Sequence, residues 1–245
     1  MKHLCQWFFI IIYSSCIAGC LTTPEVVIGP QNFLSTQPFP GYQSSGRILL
    51  ANEDQKYAGE LKFNLSKNFE LHIQIFAPII GTLVYEVRAN HEQFMILDFG
   101  NQKYLLEENI SPIRHEWLGI DVSLDELSWM IWGRIPNSKF QQYHGQMISQ
   151  NKIQLFSEDS VLLMTLSPNG LLQSVQKKNE DATIYEAFIR KYQNVAGRLY
   201  PEKIQITQQE NRGKLLLVML DIDSGTQNSP LSFQPAEGMT TYSEE

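Results

Sequence analysis

Ser174-Val175-Gln176-Lys177 spells a catalytic pair: a lysine three residues after a serine can take its proton and arm it for acyl transfer. Neither Ser-Asp-Asn nor Lys-Thr-Gly, the partners such a pair needs, occurs anywhere in the chain. The stretch alternates like a strand, where residues three apart face opposite sides, so the two groups are not expected to meet. His72, His91, His115 and His144 have no metal-ligand spacing, and His72 falls on the polar side of an alternating run. Gly-x-Ser-x-Gly, a phosphate loop and a dinucleotide fingerprint are all missing. An enzyme is therefore not expected. The remaining reactive groups are the thiols of Cys5, Cys16 and Cys20.

Cys20 is the thiol whose setting implies a covalent fate. Lys2 and His3 give a weakly basic start, Leu4 to Ile17 is mostly apolar, and Ala18 and Gly19 lead into the cysteine. That is the build of a secretory signal, too short to cross a bilayer as a helix of about 20 residues. Ile17-Ala18-Gly19-Cys20 resembles the lipobox of bacterial lipoproteins, with isoleucine in the usual leucine position. The resemblance implies a signal peptide over residues 1–19 and an N-acyl diacylglyceryl group on Cys20, the first mature residue. No other cofactor is expected. The alternative is an ordinary cleaved signal, or an uncleaved anchor, with Cys20 a bystander. Leu21 follows the cysteine where Asp would signal inner-membrane retention, so the resemblance favours the periplasmic face of the bacterial outer membrane. One acyl chain binds a bilayer only marginally, whereas two or more hold it stably at about 0.8 kcal/mol per buried methylene.

Composition narrows the classes further. Cleavage before Cys20 leaves a single, acylated cysteine, which removes thiol catalysis, disulfides and Cys-ligated zinc together. The formal charge of −7 is spread over 19 basic and 26 acidic residues. Such a surface argues against nucleic acid and against a polybasic grip on anionic lipid. A monomer is expected.

The elements that must carry any site are strands. Residues 20–44 comprise the acylated cysteine and a tether rich in proline, glycine and small polar residues, on which Phe33, Leu34 and Phe39 offer docking points. From Arg47 the pattern alternates strictly: Tyr57, Gly59, Leu61, Phe63 and Leu65 against Ala58, Glu60, Lys62 and Asn64, then Phe69, Leu71, Ile73 and Ile75 against Glu70, His72 and Gln74. Leu83, Tyr85 and Val87 continue it, followed by Phe94 and Ile96. A period of two with short connections predicts an antiparallel meander with one apolar face. Further strand runs occupy residues 146–175, 183–191, 203–208 and 214–221. About ten or eleven strands without crossover helices predict a mainly β fold with few helices: a strongly curved antiparallel sheet, as a half-open, incomplete barrel. This domain is expected over residues 45–222, and the tail 223–245 is expected to fray.

One segment breaks the pattern. Ser123-Leu124-Asp125-Glu126 is a capping box, and Gly133 and Pro136 end the helix it starts. Leu124, Leu127, Trp129, Met130, Ile131 and Trp132 make that helix apolar around most of its circumference. It either plugs the open end of the sheet or forms a short lid over a cavity for something greasy.

The lipobox, the tether, Gly46-Arg47-Ile48-Leu49, Ala77-Pro78-Ile79-Ile80-Gly81, the segment from Leu118-Gly119-Ile120 to Pro136, and Tyr192 to Ile206 with its Tyr200-Pro201 follow one another in the order of the LolB-type outer-membrane lipoproteins, which this chain resembles. The resemblance implies a half-barrel under a helical lid that binds acyl chains of client lipoproteins, accepts them from a soluble periplasmic LolA-like carrier and releases them into outer-membrane lipid. It also implies an exposed apolar residue on a strand-connecting loop, needed for membrane insertion. In this chain that loop holds Ile79 and Ile80, one residue longer than the family's Pro-Leu-Gly setting. Candidate acyl contacts are Phe63, Leu71, Ile73, Tyr85 and Phe94 on the sheet, with Leu127, Trp129, Met130 and Trp132 on the lid. A different class remains open: an envelope assembly lipoprotein, or a carrier of another hydrophobic ligand, using the same curved sheet.

Overall fold

The computed structural model describes residues 34–35, 39–53, 56–108, 120–157, 159–180, 182–209, 212–223 and 231–242. Cys20, Phe33 and Trp117 lie outside them. The first alternating runs become β1 (Tyr42–Ala51), β2 (Lys56–Leu65), β3 (Leu71–Phe76), β4 (Leu83–Ala89), β5 (Gln93–Asp98) and β6 (Lys103–Glu108), each antiparallel to the next. A second antiparallel meander holds β7 (Gln146–Ser149), β8 (Lys152–Phe156), β9 (Val161–Leu166), β10 (Leu172–Asn179), β11 (Ala182–Val195), β12 (Arg198–Gln208) and β13 (Lys214–Asp223). Pairing of β1 with β13 joins the two into one sheet. Its ends, β7 on one side and β14 (Thr240–Thr241) on the other, do not pair, so the curved sheet stays open.

Alternation sets the two faces. Leu61, Phe63, Leu65, Leu71, Ile73 and Ile75 are buried, while Glu60 and Lys62 on either side of Leu61 are exposed. β1 begins at Tyr42, inside the segment read as tether. Its ring is fully buried and its hydroxyl donates to the Ile131 carbonyl at 2.9 Å. The register slips between Ser45 and Gly46, and a Cβ at Gly46 would lie 2.0 Å from the Val218 carbonyl oxygen. Only glycine lets β13 approach this closely. Gly46→Ala is expected to cost about 1–3 kcal/mol, the usual range for forcing atoms into a packed site. A lower denaturant midpoint at unchanged slope would show it.

The capping box forms as the sequence predicts. α1 (Leu124–Trp132) starts where the Ser123 hydroxyl accepts from the Glu126 amide at 3.1 Å and Glu126 Oε2 accepts from the Ser123 amide at 2.9 Å. Gly133 ends it at φ 70°, against the ring of Tyr192. Pro136 does not end helical structure altogether. It stands as N-cap of a short second helix, α2 (Asn137–Gln142), because its ring fixes φ at −63° without needing a donor. Lys139 and Tyr143 then hold Asp125 of α1 at 2.7 and 3.4 Å.

The fourteen strands among the described residues exceed the number expected, partly because the C-terminal segment returns to the sheet. Thr240–Thr241 pairs parallel with Lys103–Tyr104 of β6, and the Tyr242 hydroxyl donates to Asp98 at 2.7 Å. Arg88 donates to the Ser232 carbonyl at 2.6 Å. Met95 and Leu97, whose cross-strand partners include Arg88 and Tyr104, are buried outside the main apolar cluster. Burial alone would raise the Asp98 pKa, but bonds from Tyr242, Asn101 and Gly100 outweigh it and hold the carboxyl below its ordinary value. A carboxyl depressed by folding adds stability above its unfolded pKa and loses it as pH falls through the folded one. Tyr242→Phe is therefore expected to lower the thermal midpoint at neutral pH, with the gap to wild type narrowing in acid. A gap that persists undiminished at pH 3 would contradict this.

Candidate functional site

Two features stand out, one on the exterior and one in the packed interior. The first is the connection from β3 to β4. A turn between strands is normally built from Gly, Asn, Asp or Ser because those residues tolerate its torsions and face water. This one is Ala77-Pro78-Ile79-Ile80-Gly81-Thr82, and Ile79 and Ile80 stand 104% and 79% exposed. It is closed by its own backbone: Ala77 N–H to Thr82 O at 2.8 Å and Gly81 N–H to Ala77 O at 3.1 Å. Within it Ile80 N–H donates to Pro78 O at 2.9 Å, a γ-turn about Ile79, whose φ is 75°. A β-branched residue at positive φ is a strained outlier, and γ-turns of this hand are rare. Gly81 at φ 68° absorbs the second reversal. The two isoleucines therefore do not fold back into the core. They are held in water by the backbone.

The second feature is the inward face of the sheet beneath α1. Phe63, Leu71, Ile73 and Phe94 of the sheet and Leu127, Trp129, Met130 and Trp132 of the helix are buried in one apolar cluster. Tyr85 is half-buried at its margin, edge-on to Tyr57 with ring centres 5.9 Å apart. The expected acyl contacts are thus brought together, packed against one another. Trp132 meets Phe39 and Phe69 at 5.3 and 6.2 Å, and Trp129 sits edge-on to Tyr143 at 5.6 Å. Phe39, from the segment read as tether, is a core residue. Leu34 is buried as well, and Ser35 bridges to Pro136.

The hollows of the structure lie elsewhere. One of about 450 Å³ opens on the outward face over β13, β1, β2 and β3, among Gln43, Lys62, His72, Gln74, Asp221 and Asp223. Phe63 and Ile222 line it as well, so its wall mixes apolar with polar groups. His72 beside it bonds Glu86 at 2.6 Å, and Arg88 bonds the same carboxylate at 2.8 Å. Burial pushes the Glu86 pKa up, but the hydrogen bonds from His72 and Arg88 prevail and leave it below the ordinary value. Ser174 borders a second outward hollow of about 250 Å³, while Lys177 is buried inside, so this serine and lysine do face opposite sides. Among the described residues no group of His, Cys, Asp and Glu could hold a metal ion, and no helix is long and apolar enough to cross a membrane.

Comparison with known proteins adds three facts. Residues 40–221 match the family model described as outer membrane lipoprotein LolB. No curated protein matches the chain. Among solved structures, a LolA superfamily protein from Nitrosomonas europaea is similar at 11% identity and a TM-score of 0.55, over 80% of this chain and 90% of that one. A putative outer membrane lipoprotein-sorting protein domain from Vibrio parahaemolyticus follows at 10% and 0.52, over 79% and 87%. A DUF1329 family protein from Desulfovibrio piger gives 8% and 0.53, over 79% and 88%. At these identities the structures speak for the fold, a LolA-like open sheet.

Proposed function

The chain belongs to the LolB family of outer membrane lipoproteins, and from that premise we propose that it takes client lipoproteins by their acyl chains from a soluble periplasmic LolA-like carrier and releases them into the outer membrane. An acylated Cys20 holds it there, and no bond is made or broken in the transfer. The observation that carries this reading is the strained, water-exposed Ile79–Ile80 turn. Fully burying an isoleucine gains about 1.5–3 kcal/mol. Such a gain is too small to anchor a domain but enough to make a tethered one touch, and leave, the acyl region of a bilayer.

Acyl chains would enter between α1 and the sheet, where the neighbours are Phe63, Leu71, Ile73, Phe94 and the helix tryptophans. Hydrocarbon there is held by area, at about 25 cal/mol per Å². Because those side chains already contact each other, entry requires α1 to yield, and the cost of opening sets affinity. Handover is directional when each acceptor binds better than its donor, about 1.4 kcal/mol giving a tenfold bias. The test is reconstitution: a LolA-like carrier loaded with one lipoprotein, phospholipid vesicles, and this protein. Client should float with the vesicles only when the protein is present, and equal transfer without it would refute the reading.

A further inference from the structure

At one end of the sheet the hydrocarbon interior is interrupted by a group of polar side chains. Lys177 on β10 lies opposite Tyr185 on β11, and Tyr185 opposite Gln208 on β12. Glu126 joins them from the first turn of α1 and Asp121 from the segment before it. Lys177 Nζ stands 3.3 Å from Glu126 Oε1 and 3.9 Å from Asp121 Oδ1, and 5.9 Å from the Tyr185 ring centre. Gln208 Oε1 accepts from the Asp121 amide at 2.7 Å. Lys177 and Glu126 are each 7% exposed and Tyr185 is 0% exposed.

Local structure does not account for this group. The capping box uses only Ser123 and Glu126, and an apolar residue at 177 would continue the inward row made by Val175 on its own strand and Leu162 opposite it. Buried charge is costly, and a buried ion pair is weak evidence for stability. The group is also unsaturated. The Tyr185 hydroxyl has no hydrogen bond of ordinary geometry, although Glu126 stands close enough to reinforce the rise that burial gives its pKa. Asp121 Oδ1 is buried with only the long Lys177 contact. Buried polar atoms are normally paired. What remains open is an O–H donor, ammonium N–H donors and a carboxylate acceptor, and the group reaches water through Asp121, whose side chain is one-third exposed.

We propose that Lys177, Tyr185 and Asp121 form a subsite for the polar neck of an acylated ligand, the ester and amide groups joining its chains to a cysteine. This rests on the reading that the interior takes acyl chains. Ester carbonyls accept from Tyr185 and Lys177, and the amide N–H donates to Asp121. One ammonium against two carboxylates leaves the group negative, so a free fatty-acid anion is disfavoured. Neutral esters and amides are the ligand class. An ester-only glyceride uses the two donors, whereas an N-acylated cysteine also uses the carboxylate.

The test is competition on the full chain in mild detergent. An environment-sensitive acyl fluorophore is displaced by palmitate, by dipalmitoylglycerol or by a synthetic triacylated cysteinyl peptide. The triacylated peptide also outcompetes palmitate through its two extra chains, so the subsite is read from the change in that preference between wild type and each variant. Tyr185→Phe, which keeps the ring and deletes only the hydroxyl, should reduce that preference about threefold or more. Lys177→Met should do the same. Asp121→Ala, which removes the acceptor that asparagine would keep, should lower only the advantage of the triacylated peptide over dipalmitoylglycerol. Fluorophore binding with unchanged preferences in all three variants would overturn the subsite and leave acyl-chain binding by the interior standing. A wild-type protein that does not bind the fluorophore would overturn both.

Discussion

Replacing Ile79 and Ile80 together by serine is expected to leave the fold intact and to slow delivery into vesicles by about a hundredfold or more. Both side chains are almost fully in water, so nothing in the core is lost. Two isoleucines entering the acyl region contribute roughly 3–6 kcal/mol between them at the usual value for burial, and each 1.4 kcal/mol is a factor of ten in partitioning. Binding of an acyl probe in solution should not change, which separates membrane contact from cargo affinity. The sharper variant is Ile79→Gly. The positive φ at Ile79 costs on the order of 1 kcal/mol that glycine does not pay. Stability should rise by about that amount while delivery falls about tenfold, in line with losing one isoleucine. Movement of the two quantities in opposite directions is the mark of strain kept for a purpose. Wild-type delivery by the double serine variant would remove the turn from the mechanism.

Much of this architecture is written in alternation. The run from Tyr57 to Ile75 could be divided into inward and outward sets without coordinates, because a half-buried antiparallel strand has a period of two and a one-residue slip would expose the whole apolar set. The capping box at Ser123 and Glu126 was equally legible, since both its bonds are local. Long-range geometry was not. That Tyr42 belongs to β1 depends on pairing with Leu65 and on burial against Ile131, and that Thr240–Thr241 returns to β6 depends on Asp98 and Gln102 far back in the chain. The same holds for the polar group under α1. Glu126 reads as a cap and Lys177 as half of a serine–lysine pair, and only folding three strands beneath a helix makes them neighbours. The exposure of Ile79 and Ile80 lay between these cases. An apolar turn was visible in the residues, but its outward aim is fixed by torsions that no periodicity encodes.

Trp129→Ala should separate the packing of α1 from its part in taking up hydrocarbon. Trp129 is 1% exposed and edge-on to Tyr143, so truncation removes a large buried surface and leaves a void. The cost in stability should be about 3–5 kcal/mol, read from the denaturant midpoint. A domain with the usual 5–15 kcal/mol in hand survives that loss weakened. Affinity for an acyl probe should move the other way and tighten about tenfold. In the native arrangement a chain must first displace side chains that satisfy one another, and the observed affinity is lowered by the fraction of molecules that are open. An apolar void stays dry and accepts hydrocarbon, so the variant begins with part of that opening already made. Met130→Ala, fully buried on the same helix, should show both effects more mildly. Weaker acyl binding in step with weaker folding would mean that α1 is an inert plug and that the chain goes elsewhere. Opposed changes would make the helix the barrier that cargo has to lift, and its packing energy the quantity that sets how firmly a lipoprotein is held before release.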